Sequence, residues 1–325
     1  MDKIFVTGIN GLLGANLCED LLKQGYKVKG LVRDKHRYLG DAHKNLNLIE
    51  GKLFMDFTFI LKNIDYVIHI AALTDQSIPD PFEYWKVNYN ATRQLFHAAI
   101  KCGVKRFIFI STANTVGYGS KKKPGHELKR TSYLFKKSFY AKSKLLAEEF
   151  MLREKHQIET IILNPTFMIG ANDSKPSSGK IILMCLGKKV VFYPPGGKNF
   201  VHVKDVSQGI LKCIKSVNHG EKYLLANENL TYKEFFRKVN RITNQKPVMV
   251  EIPKFILNIL GGIGDVLRKF NVKTSLSSVN MKALMVNNYF TNEKSIKALD
   301  IKYQPIDKAI IDAVNYFKKS PLEKL

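Results

Sequence analysis

A tyrosine and a lysine four residues apart, Tyr140 and Lys144, are the side chains of this sequence best suited to acid–base chemistry. On a helix, residues at this spacing share a face, so the phenol and the ammonium group can point at one site. A free tyrosine has a pKa of about 10. A cation about 4 Å away, at an effective dielectric of about 20, contributes on the order of 4 kcal/mol, which would lower that pKa by roughly 3 units before desolvation is subtracted. We therefore expect Lys144 to lower the pKa of Tyr140 until the phenol exchanges a proton near neutral pH.

Two other tyrosines also precede a lysine by four residues, so the spacing alone does not select this pair. Tyr118 lies in a glycine-containing loop before Pro124, which disfavours a continuous helix through its lysine. Tyr140 opens the clearest helical pattern and is the preferred candidate. Tyr133 is its main rival.

A glycine-rich segment near the N-terminus, residues 7–14 (TGINGLLG), has the spacing of a nucleotide-binding turn. Glycine is needed where such a turn is tight, where the backbone approaches a pyrophosphate and where the helix packs on the strand. The N-terminus of the following helix then offers free N–H groups and a partial positive charge. The segment follows a predicted strand and opens a predicted helix, which favours nucleotide binding over an ordinary turn.

The elements around these motifs alternate between short apolar strands and longer helical segments, the pattern of a parallel sheet. The predicted strands are 3–7, 27–32, 46–50, 65–70, 106–111 and 159–164, and the helices between them are 12–23, 82–101 and 138–155. Past residue 165 the chain becomes turn-rich, with helical segments at 232–241, 254–270 and 306–318.

The pattern predicts an α/β fold, a Rossmann-type doubly wound parallel sheet with a smaller, mainly helical C-terminal substrate lobe. Residues 1–165, with parts of 200–228, would form the nucleotide-binding domain, which the resemblance given below assigns to NAD(P). Residues 166–200 and 229–325 would form the substrate-binding lobe.

The composition agrees with a folded protein of this kind. With 325 residues, 45% of them hydrophobic and 11% aromatic, the chain can bury a sizeable core, which excludes disorder as its main state. Four widely separated cysteines support neither a disulfide scaffold nor a zinc site, and no cluster of His, Cys or acidic residues indicates a metal. The N-terminus does not resemble a secretory signal, and the longest apolar stretch, 255–263, falls short of the roughly 20 residues of a membrane-spanning helix. We expect a cytoplasmic protein without a transmembrane segment, and a core helix at 252–270 rather than one that touches lipid.

The chain is strongly basic, with a formal net charge of +24. Residues 120–144 contain nine Lys or Arg and one acidic residue, Glu127. This segment should border the mouth of the active site. Two explanations stay open: the patch steers an anionic substrate or carrier, or it is a solvated lysine-rich surface. We expect a small-molecule substrate and no specific nucleic-acid partner.

The order of several motifs resembles the extended short-chain dehydrogenase/reductase superfamily, of the NAD-dependent epimerase/dehydratase type. The matching segments span nearly the whole chain: TGINGLLG at 7–14, DYVIHIAAL at 65–73, VNYNAT at 87–92, VKRFIFIST at 104–112, YAKSK at 140–144, NPT at 164–166 and NFVHVKDV at 199–206. Within the superfamily the chain is most similar to the branch of dihydroflavonol reductases and 3β-hydroxysteroid dehydrogenases.

This resemblance implies an NAD(P)-dependent oxidoreductase that transfers a hydride between nicotinamide and a carbonyl or secondary alcohol. Tyr140 would be the acid/base and Lys144 would also reach the nicotinamide ribose. Thr112 would orient the substrate oxygen, with Ser111 making a local structural bond and Thr115 as a weaker candidate for the catalytic hydroxyl.

The resemblance also assigns the cofactor site, and NADP is favoured over NAD. The expected cofactor-binding residues are Gly8, Asn10, Gly11, Leu12, Leu13, Arg33, Ala71, Ala72, Tyr140, Lys144, Asn164 and Pro165. Arg33 follows the second strand, where a cation accepts the 2′-phosphate of NADP; Asp34 could instead bind the ribose of NAD. Relatives carry an aspartate facing the adenine where this chain has Lys52, so the adenine contacts should differ.

Two other functions stay open. A nucleotide-sugar epimerase of the same superfamily is one, whereas a dehydratase is disfavoured because Ala113 and Asn114 replace its acidic residues. A non-catalytic cofactor-sensing or binding protein is the other.

The remaining motifs predict scaffold, assembly and pocket. Four polar side chains should serve the scaffold: His69, Asn88, His202 and Asp205. The family's pairing of helices 82–101 and 138–155 implies a homodimer. A further set of side chains suggests an apolar substrate pocket: Thr74, Phe167, Met168, Phe192 and Phe200.

Overall fold

The computed structural model describes residues 1–215 and 218–319. Its strands are β1 (Lys3–Thr7), β2 (Lys27–Val32), β3 (Leu46–Glu50), β4 (Tyr66–His69), β5 (Arg106–Ile110), β6 (Glu159–Pro165), β7 (Phe167–Ile169), β8 (Val190–Tyr193), β9 (Gly197–His202), β10 (Glu221–Leu225), β11 (Glu228–Thr231), β12 (Val248–Glu251) and β13 (Asn287–Asn288). Its α-helices are α1 (Leu12–Lys23), α2 (Thr58–Leu61), α3 (Pro81–Tyr84), α4 (Ala91–Lys101), α5 (Tyr133–Lys136), α6 (Phe139–Arg153), α7 (Lys180–Leu183), α8 (Val203–Lys215), α9 (Tyr232–Ile242), α10 (Lys254–Lys269), α11 (Ser278–Ala283), α12 (Glu293–Leu299) and α13 (Ile306–Lys319).

Seven of these strands form one parallel sheet in the order β10-β6-β5-β4-β1-β2-β3. The six strands predicted from the sequence all form, within one residue of the predicted ends. Their nearly continuous apolar runs are typical of strands that are covered by helices on both faces. The strand order reverses between β1 and β4, and α/β sheets of this kind bind ligands in the crevice at that point. The predicted Rossmann-type doubly wound sheet is confirmed.

Two hydrophobic cores cover the two faces of this sheet. Alternate residues of β1 divide between them, because successive side chains of a strand point to opposite faces. Ile4 and Val6 join the core that also contains residues of α1 and α8, whereas Phe5 joins the core formed with α4 and α6. The same two layers hold α1 and α6 against the carboxyl ends of the central strands.

The predicted helix at 82–101 is interrupted in the structure. It consists of α3, a π-helical segment at Trp85–Asn90, and α4. Within the π-helical segment the side chain of Asn88 is buried and bonded to the backbone of Leu73, accepting from its N–H at 2.7 Å and donating to its C=O at 3.1 Å. Asn88 also donates to the hydroxyl of Ser143 on α6 at 3.0 Å. The π-helical segment thus contains a buried amide, that of Asn88, which joins the loop after β4 to α6. This is the scaffold role expected of Asn88.

The C-terminal region adds helices and two small sheets to the central one. β9 lies between β11 and β13 and also pairs with β7, while β8 pairs with β12. A third core forms here around Phe200 and Phe235, whose rings stack at 4.2 Å between centroids. Asp205 at the start of α8 accepts two hydrogen bonds from Gln304, at 3.0 and 3.1 Å, which ties that helix to the segment before α13. His202 lies 3.2 Å from Asp312 of α13.

The expectation of a core helix at 252–270 is wrong. α10 buries only Leu257, Gly261 and Gly264, and most of its larger apolar side chains are exposed. The physical reason is a close approach of the following segment. A Cβ atom on Gly264 would lie 1.4 Å from the carbonyl oxygen of Leu276, so only the glycine face of the helix can pack there.

Replacing Gly264 by alanine should therefore destabilise the protein. We expect Gly264→Ala to lower the free energy of unfolding by about 1–3 kcal/mol, the usual cost of overpacking. Gly262 is the matched control on the same helix, because a Cβ there meets nothing within 4 Å. Gly262→Ala should be neutral or stabilising by roughly 0.5–1 kcal/mol. Urea unfolding of the two variants measures the difference, and equal stabilities would contradict this account of the α10 packing.

Candidate active site

The glycine-rich turn places backbone, without side chains, at the carboxyl end of β1. Gly8 has a φ of +77°, and a Cβ atom there would lie 2.7 Å from the backbone nitrogen of Ala71. A Cβ on Gly14 would lie 2.1 Å from the oxygen of Gly8. Gly11 is the N-cap of α1 and brings no side chain to bond the first turn. The backbone N–H groups that open this helix can therefore bind an anionic group such as a diphosphate.

Asn10 adds an unsatisfied polar group to this turn. Its amide nitrogen donates to the carbonyl oxygen of Arg37 at 3.2 Å, whereas its Oδ1 atom is buried without a hydrogen-bond partner among the described residues. A buried acceptor of this kind costs free energy unless a donor reaches it. Together with the glycine cradle, it fits a bound dinucleotide.

Arg33 and Asp34, which follow each other at the end of β2, differ in their surroundings. Asp34 accepts the backbone N–H of His36 at 2.9 Å and lies 3.2 Å from Nε of Arg37, so its carboxylate has local partners. Arg33 is exposed at the end of the strand. Lys52, at the corresponding place after β3, is exposed as well.

Thr112 and Tyr140 are brought together at the same edge of the sheet. Thr112 lies two residues after β5, and Tyr140 lies in the first turn of α6, which Ser138 caps by accepting the N–H of Ala141 at 3.3 Å. The Thr112 side chain lies near enough to the Tyr140 phenol to oppose the rise in its pKa that burial causes. Tyr140 is partly exposed and lines a cleft of about 290 Å³. The phenol of Tyr140 is therefore accessible from the cleft, with the Thr112 side chain nearby.

The expected lowering of the Tyr140 pKa by Lys144 does not occur in this structure. Burial raises the pKa of Tyr140 to about 12, against the opposing effect of the Thr112 side chain. Lys144 donates to the carbonyl oxygen of Ile110 at 2.6 Å and lies 3.9 Å from the centre of the Phe109 ring. Burial also lowers the pKa of Lys144 to about 7, so the cation is only partly charged at neutral pH. For the Tyr140 pKa, the effect of desolvation is therefore larger than the effect of the Lys144 charge that the sequence analysis considered.

A buried carboxylate that the sequence analysis missed, Glu148, connects the elements around the site. It accepts hydrogen bonds from Ser111, from Thr115 at 2.7 Å and from the amide nitrogen of Asn164 at 2.7 Å, and it forms an ion pair with Lys222. Ser111 thus makes the structural bond expected of it, and the Thr115 hydroxyl is engaged in the same network. These partners come from the end of β5, from β6 and from β10.

The spacing of α6 could have revealed Glu148. It lies four residues after Lys144, just as Lys144 lies four residues after Tyr140, so the three side chains share one face of the helix. A carboxylate one turn along the same helix face as a buried lysine is itself a candidate for burial, because charged side chains are buried together with partners of opposite charge.

Asn164 and Pro165 end β6 beside this network, and both are buried. The Asn164 amide nitrogen donates to the carbonyl oxygen of Thr112 at 3.0 Å as well as to Glu148. Its Oδ1 is buried without a hydrogen-bond partner in the part of the chain that is described. The side chain therefore positions the Thr112 backbone.

His69 is a neutral buried histidine, as the sequence analysis favoured. Its ring nitrogens lie 2.7 Å from the hydroxyl of Thr7 and 2.9 Å from that of Thr92. Burial, with a smaller contribution from Lys144, lowers its pKa to about 3. The ring is thus held between β1 and α4 and does not titrate near neutral pH.

The rival tyrosine, Tyr133, lies on the surface. Its side chain is 74% exposed, and Lys137, 4.6 Å from its ring centre, lowers its pKa. Among the three Tyr-x-x-x-Lys tyrosines, Tyr140 is the one that lines the cleft.

The cleft itself is lined by other side chains than those expected, among them the aromatic Tyr84 and Phe139 and four charged groups. Lys137, Arg268, Lys269 and Asp265 surround Tyr140 there. The five side chains expected to form an apolar pocket, Thr74, Phe167, Met168, Phe192 and Phe200, are not among its lining residues. Phe200 points into the third core, and Phe192 is 57% exposed on β8.

Within residues 1–215 and 218–319, no helix has the length and apolar character needed to cross a membrane. The same residues contain no group of three or more His, Cys, Asp or Glu side chains placed to hold a metal ion.

The pKa of Lys144 makes a prediction about stability. The pKa of Lys144 is about 7 in the folded protein and 10.5 ordinarily. Between these pH values the unfolded chain binds more protons than the folded protein. The contribution of Lys144 to the free energy of unfolding therefore rises with pH. Lys144→Met lacks this contribution. Its free energy of unfolding relative to the wild type should therefore fall by on the order of 4 kcal/mol from pH about 7 to pH about 10.

Chemical unfolding at several pH values measures this change. Lys142→Met, an exposed lysine of the same helix, is the control and should show no such trend. A pH-independent difference for Lys144→Met would mean that the buried amine has an ordinary pKa.

Comparison with known proteins identifies the family. Residues 4–226 match the sequence profile of the NAD dependent epimerase/dehydratase family. The crystal structure of gox2253 is similar with a TM-score of 0.83 and 28% identity, covering 98% of each chain. A sterol-4-alpha-carboxylate 3-dehydrogenase (decarboxylating) of Dictyostelium discoideum is 27% identical over 84% of this chain and 87% of its own length. UDP-glucose 4-epimerase of Vibrio cholerae is 26% identical over 80% of this chain and 81% of its own length.

These matches confirm the resemblance that the motifs indicated. The relatives comprise oxidoreductases and an epimerase, enzymes of the extended short-chain dehydrogenase/reductase superfamily. The chain belongs to the NAD-dependent epimerase/dehydratase family.

Proposed function

We propose that this protein is an NAD(P)-dependent reductase or dehydrogenase that transfers a hydride between nicotinamide and a carbonyl or secondary alcohol. The observation that carries the proposal is that Tyr140 lines an accessible cleft at the carboxyl edge of the sheet, with Thr112 near its phenol. The glycine turn opens at the same edge.

The residues around the turn would hold the dinucleotide, which supplies the hydride donor or acceptor when bound. Gly8, Gly11 and the opening N–H groups of α1, at Leu12 and Leu13, would bind the diphosphate. The unsatisfied Oδ1 of Asn10 would accept a hydrogen bond from the cofactor. Four further residues would complete the site by contact or close approach: Ala71, Ala72, Asn164 and Pro165.

The chemistry assigned to Tyr140 favours reduction. With a pKa of about 12 the phenol is protonated at neutral pH, so it is ready to donate its proton to the oxygen of a carbonyl that accepts a hydride. Thr112 would donate a hydrogen bond to the same oxygen and hold it against the phenol. Lys144 would bind the nicotinamide ribose, and Glu148 keeps its helix face fixed against β5 and β6.

The substrate that this cleft favours is anionic. Lys137, Arg268 and Lys269 outnumber Asp265 around Tyr140, and Lys137 belongs to the basic segment 120–144. Cations that line a cleft raise the local concentration of an anion and speed its association.

An epimerase is the second candidate, because the Vibrio cholerae relative carries that name and covers most of the chain. Such an enzyme keeps its NAD bound and returns the hydride to the same substrate. Purified protein with tightly bound NAD and no net consumption of NADPH would favour this alternative. The third candidate, a non-catalytic binding protein, has no need of a tyrosine that lines an open cleft with a threonine near its phenol.

Removing the phenolic hydroxyl tests the proposed reaction. Tyr140→Phe should lower kcat/KM for NADPH-dependent reduction of a ketone or aldehyde substrate by at least about 10²-fold, the lower limit for general acid catalysis. Tyr133→Phe, the exposed tyrosine with the same spacing to a lysine, is the matched control and should retain activity. Unchanged turnover in Tyr140→Phe would rule out the assigned acid.

Arg33 decides the proposed preference for NADP. A charge-assisted hydrogen bond contributes about 1.5–3 kcal/mol, so Arg33→Ala should weaken NADPH binding by about tenfold or more and leave NADH binding nearly unchanged. Fluorescence titration with the two cofactors measures both constants. Arg153→Ala, an exposed arginine at the end of α6, is the control. Equal losses for NADPH and NADH would remove Arg33 from the 2′-phosphate site.

A further inference from the structure

α10 presents an unusual exposed face, which we call the apolar stripe. Its members are the side chains of Phe255, Ile256, Ile259, Ile263, Val266 and Phe270. At about 100° per residue they fall within an arc of about 100° on the helical wheel. Phe255 is 63% exposed, Ile259 56% and Phe270, the C-cap residue, 77%. The stripe is thus a continuous ridge of large apolar side chains in contact with solvent.

The stripe cannot be explained as the edge of a core-facing helix. The buried side of α10 consists of Leu257, Gly261 and Gly264, on the opposite side of the wheel. An amphipathic helix normally turns its large apolar face inward. Here the glycines pack against residues 276–278 and the large side chains point away, so the sequence maintains an apolar surface at a cost in free energy.

A second exposed apolar surface precedes α10 directly. In the ribbon of β8 and β12, Val248 pairs with Val190 and Val250 pairs with Phe192, and all four side chains are exposed. Only Ile252 and Pro253 separate this ribbon from α10. Contiguous exposed apolar patches on soluble domains mark interaction sites.

The charge around the stripe indicates what covers it. Residues 246–282 contain six Lys or Arg and two acidic residues, and exposed Lys254 and Lys269 stand at the two ends of α10. A second copy of this chain would bring like charges together, and the homodimer implied by the resemblance would use α4 and α6 instead. An anionic lipid surface attracts each nearby cation by about 1 kcal/mol. Interfacial helices bury an apolar face between headgroups and acyl chains in just this way.

We propose that the apolar stripe of α10 docks this protein on the surface of a membrane that contains anionic lipid. The helix would lie in the plane of the interface with its glycine face toward the protein. Its 16 residues give a contact about 24 Å long.

Asp265 and Arg268 of the same helix line the cleft beside Tyr140. At about 100° per residue they lie about 130° and 170° from the centre of the stripe, so docking would leave the cleft facing away from the lipid.

Vesicle co-sedimentation of the full-length protein tests the docking. Wild type should bind vesicles of phosphatidylcholine mixed with phosphatidylglycerol, bind pure phosphatidylcholine more weakly, and lose affinity for the mixed vesicles as salt increases. The double variant Ile259→Glu with Ile263→Glu should lose at least about tenfold in vesicle affinity, since each buried isoleucine contributes more than one factor of ten.

Two controls make the outcome specific. Phe59→Glu with Leu128→Glu changes two side chains that are 85% and 88% exposed elsewhere and should leave vesicle binding intact. Tyr140→Phe should also bind vesicles normally, whether or not it is active, so that failure of docking and failure of the proposed reaction are distinguished. Unchanged thermal unfolding of the stripe variant would show that it folds, as expected for exposed positions.

Three results would overturn the proposal. The first is a wild-type protein that does not bind the mixed vesicles. The second is a stripe variant that binds them as well as wild type. The third is a wild-type oligomer in light scattering that dissociates in the stripe variant without any vesicle binding, because the stripe would then cover a second copy of the chain.

Discussion

The site depends on one buried carboxylate. Glu148 is removed from water, and a buried charge is stable only when it is paired and hydrogen-bonded. Its partners Ser111, Asn164 and Lys222 lie at β5, β6 and β10, so three neighbouring strands and α6 meet at a single side chain. Thr112 follows Ser111 directly, and Tyr140 lies two turns before Glu148. The geometry that brings the two hydroxyls together is therefore set by a group that touches neither of them directly.

The same burial sets the protonation states of the site. Desolvation raises the pKa of Tyr140 and lowers the pKa of Lys144, so both side chains are driven toward their neutral forms. A neutral phenol is a proton donor, and a lysine with a pKa of about 7 changes charge in response to small changes around it. Under the proposed function, the phenol is thus ready to give a proton to a substrate oxygen.

The sequence was sufficient to predict the central sheet, because buried parallel strands carry dense apolar runs that alternate with helices. It was insufficient where tertiary contacts override the local pattern. The π-helical segment at Trp85–Asn90 has no signature in helical periodicity, and it accompanies the burial of Asn88. The stripe of α10 has the periodicity of a core helix, and only the close approach of Leu276 to Gly264 shows which face is buried.

For the candidate site, the sequence was sufficient to predict which residues lie there but not how their pKa values are shifted. Tyr140, Lys144 and Thr112 could be placed because helical spacing and the end of a strand are local properties. The sign of the Tyr140 pKa shift could not be predicted, because it depends on how many atoms surround the phenol and on the carbonyl oxygen of Ile110 that binds Lys144. Glu148 was missed for a similar reason, since its partners are distant in the chain.

The position of β10 has a consequence for how the chain is made. This strand completes the central sheet by pairing with β6, although it follows it by more than fifty residues and brings Lys222 to Glu148. During synthesis β6 leaves the ribosome as an unprotected edge, and the carboxylate of α6 emerges without its cation. Unpaired strand edges favour association between chains. Six of the seven strands of the sheet must therefore wait in an incomplete form until β10 emerges, and a chain truncated before β10 would leave β6 unpaired along one side and Glu148 without Lys222.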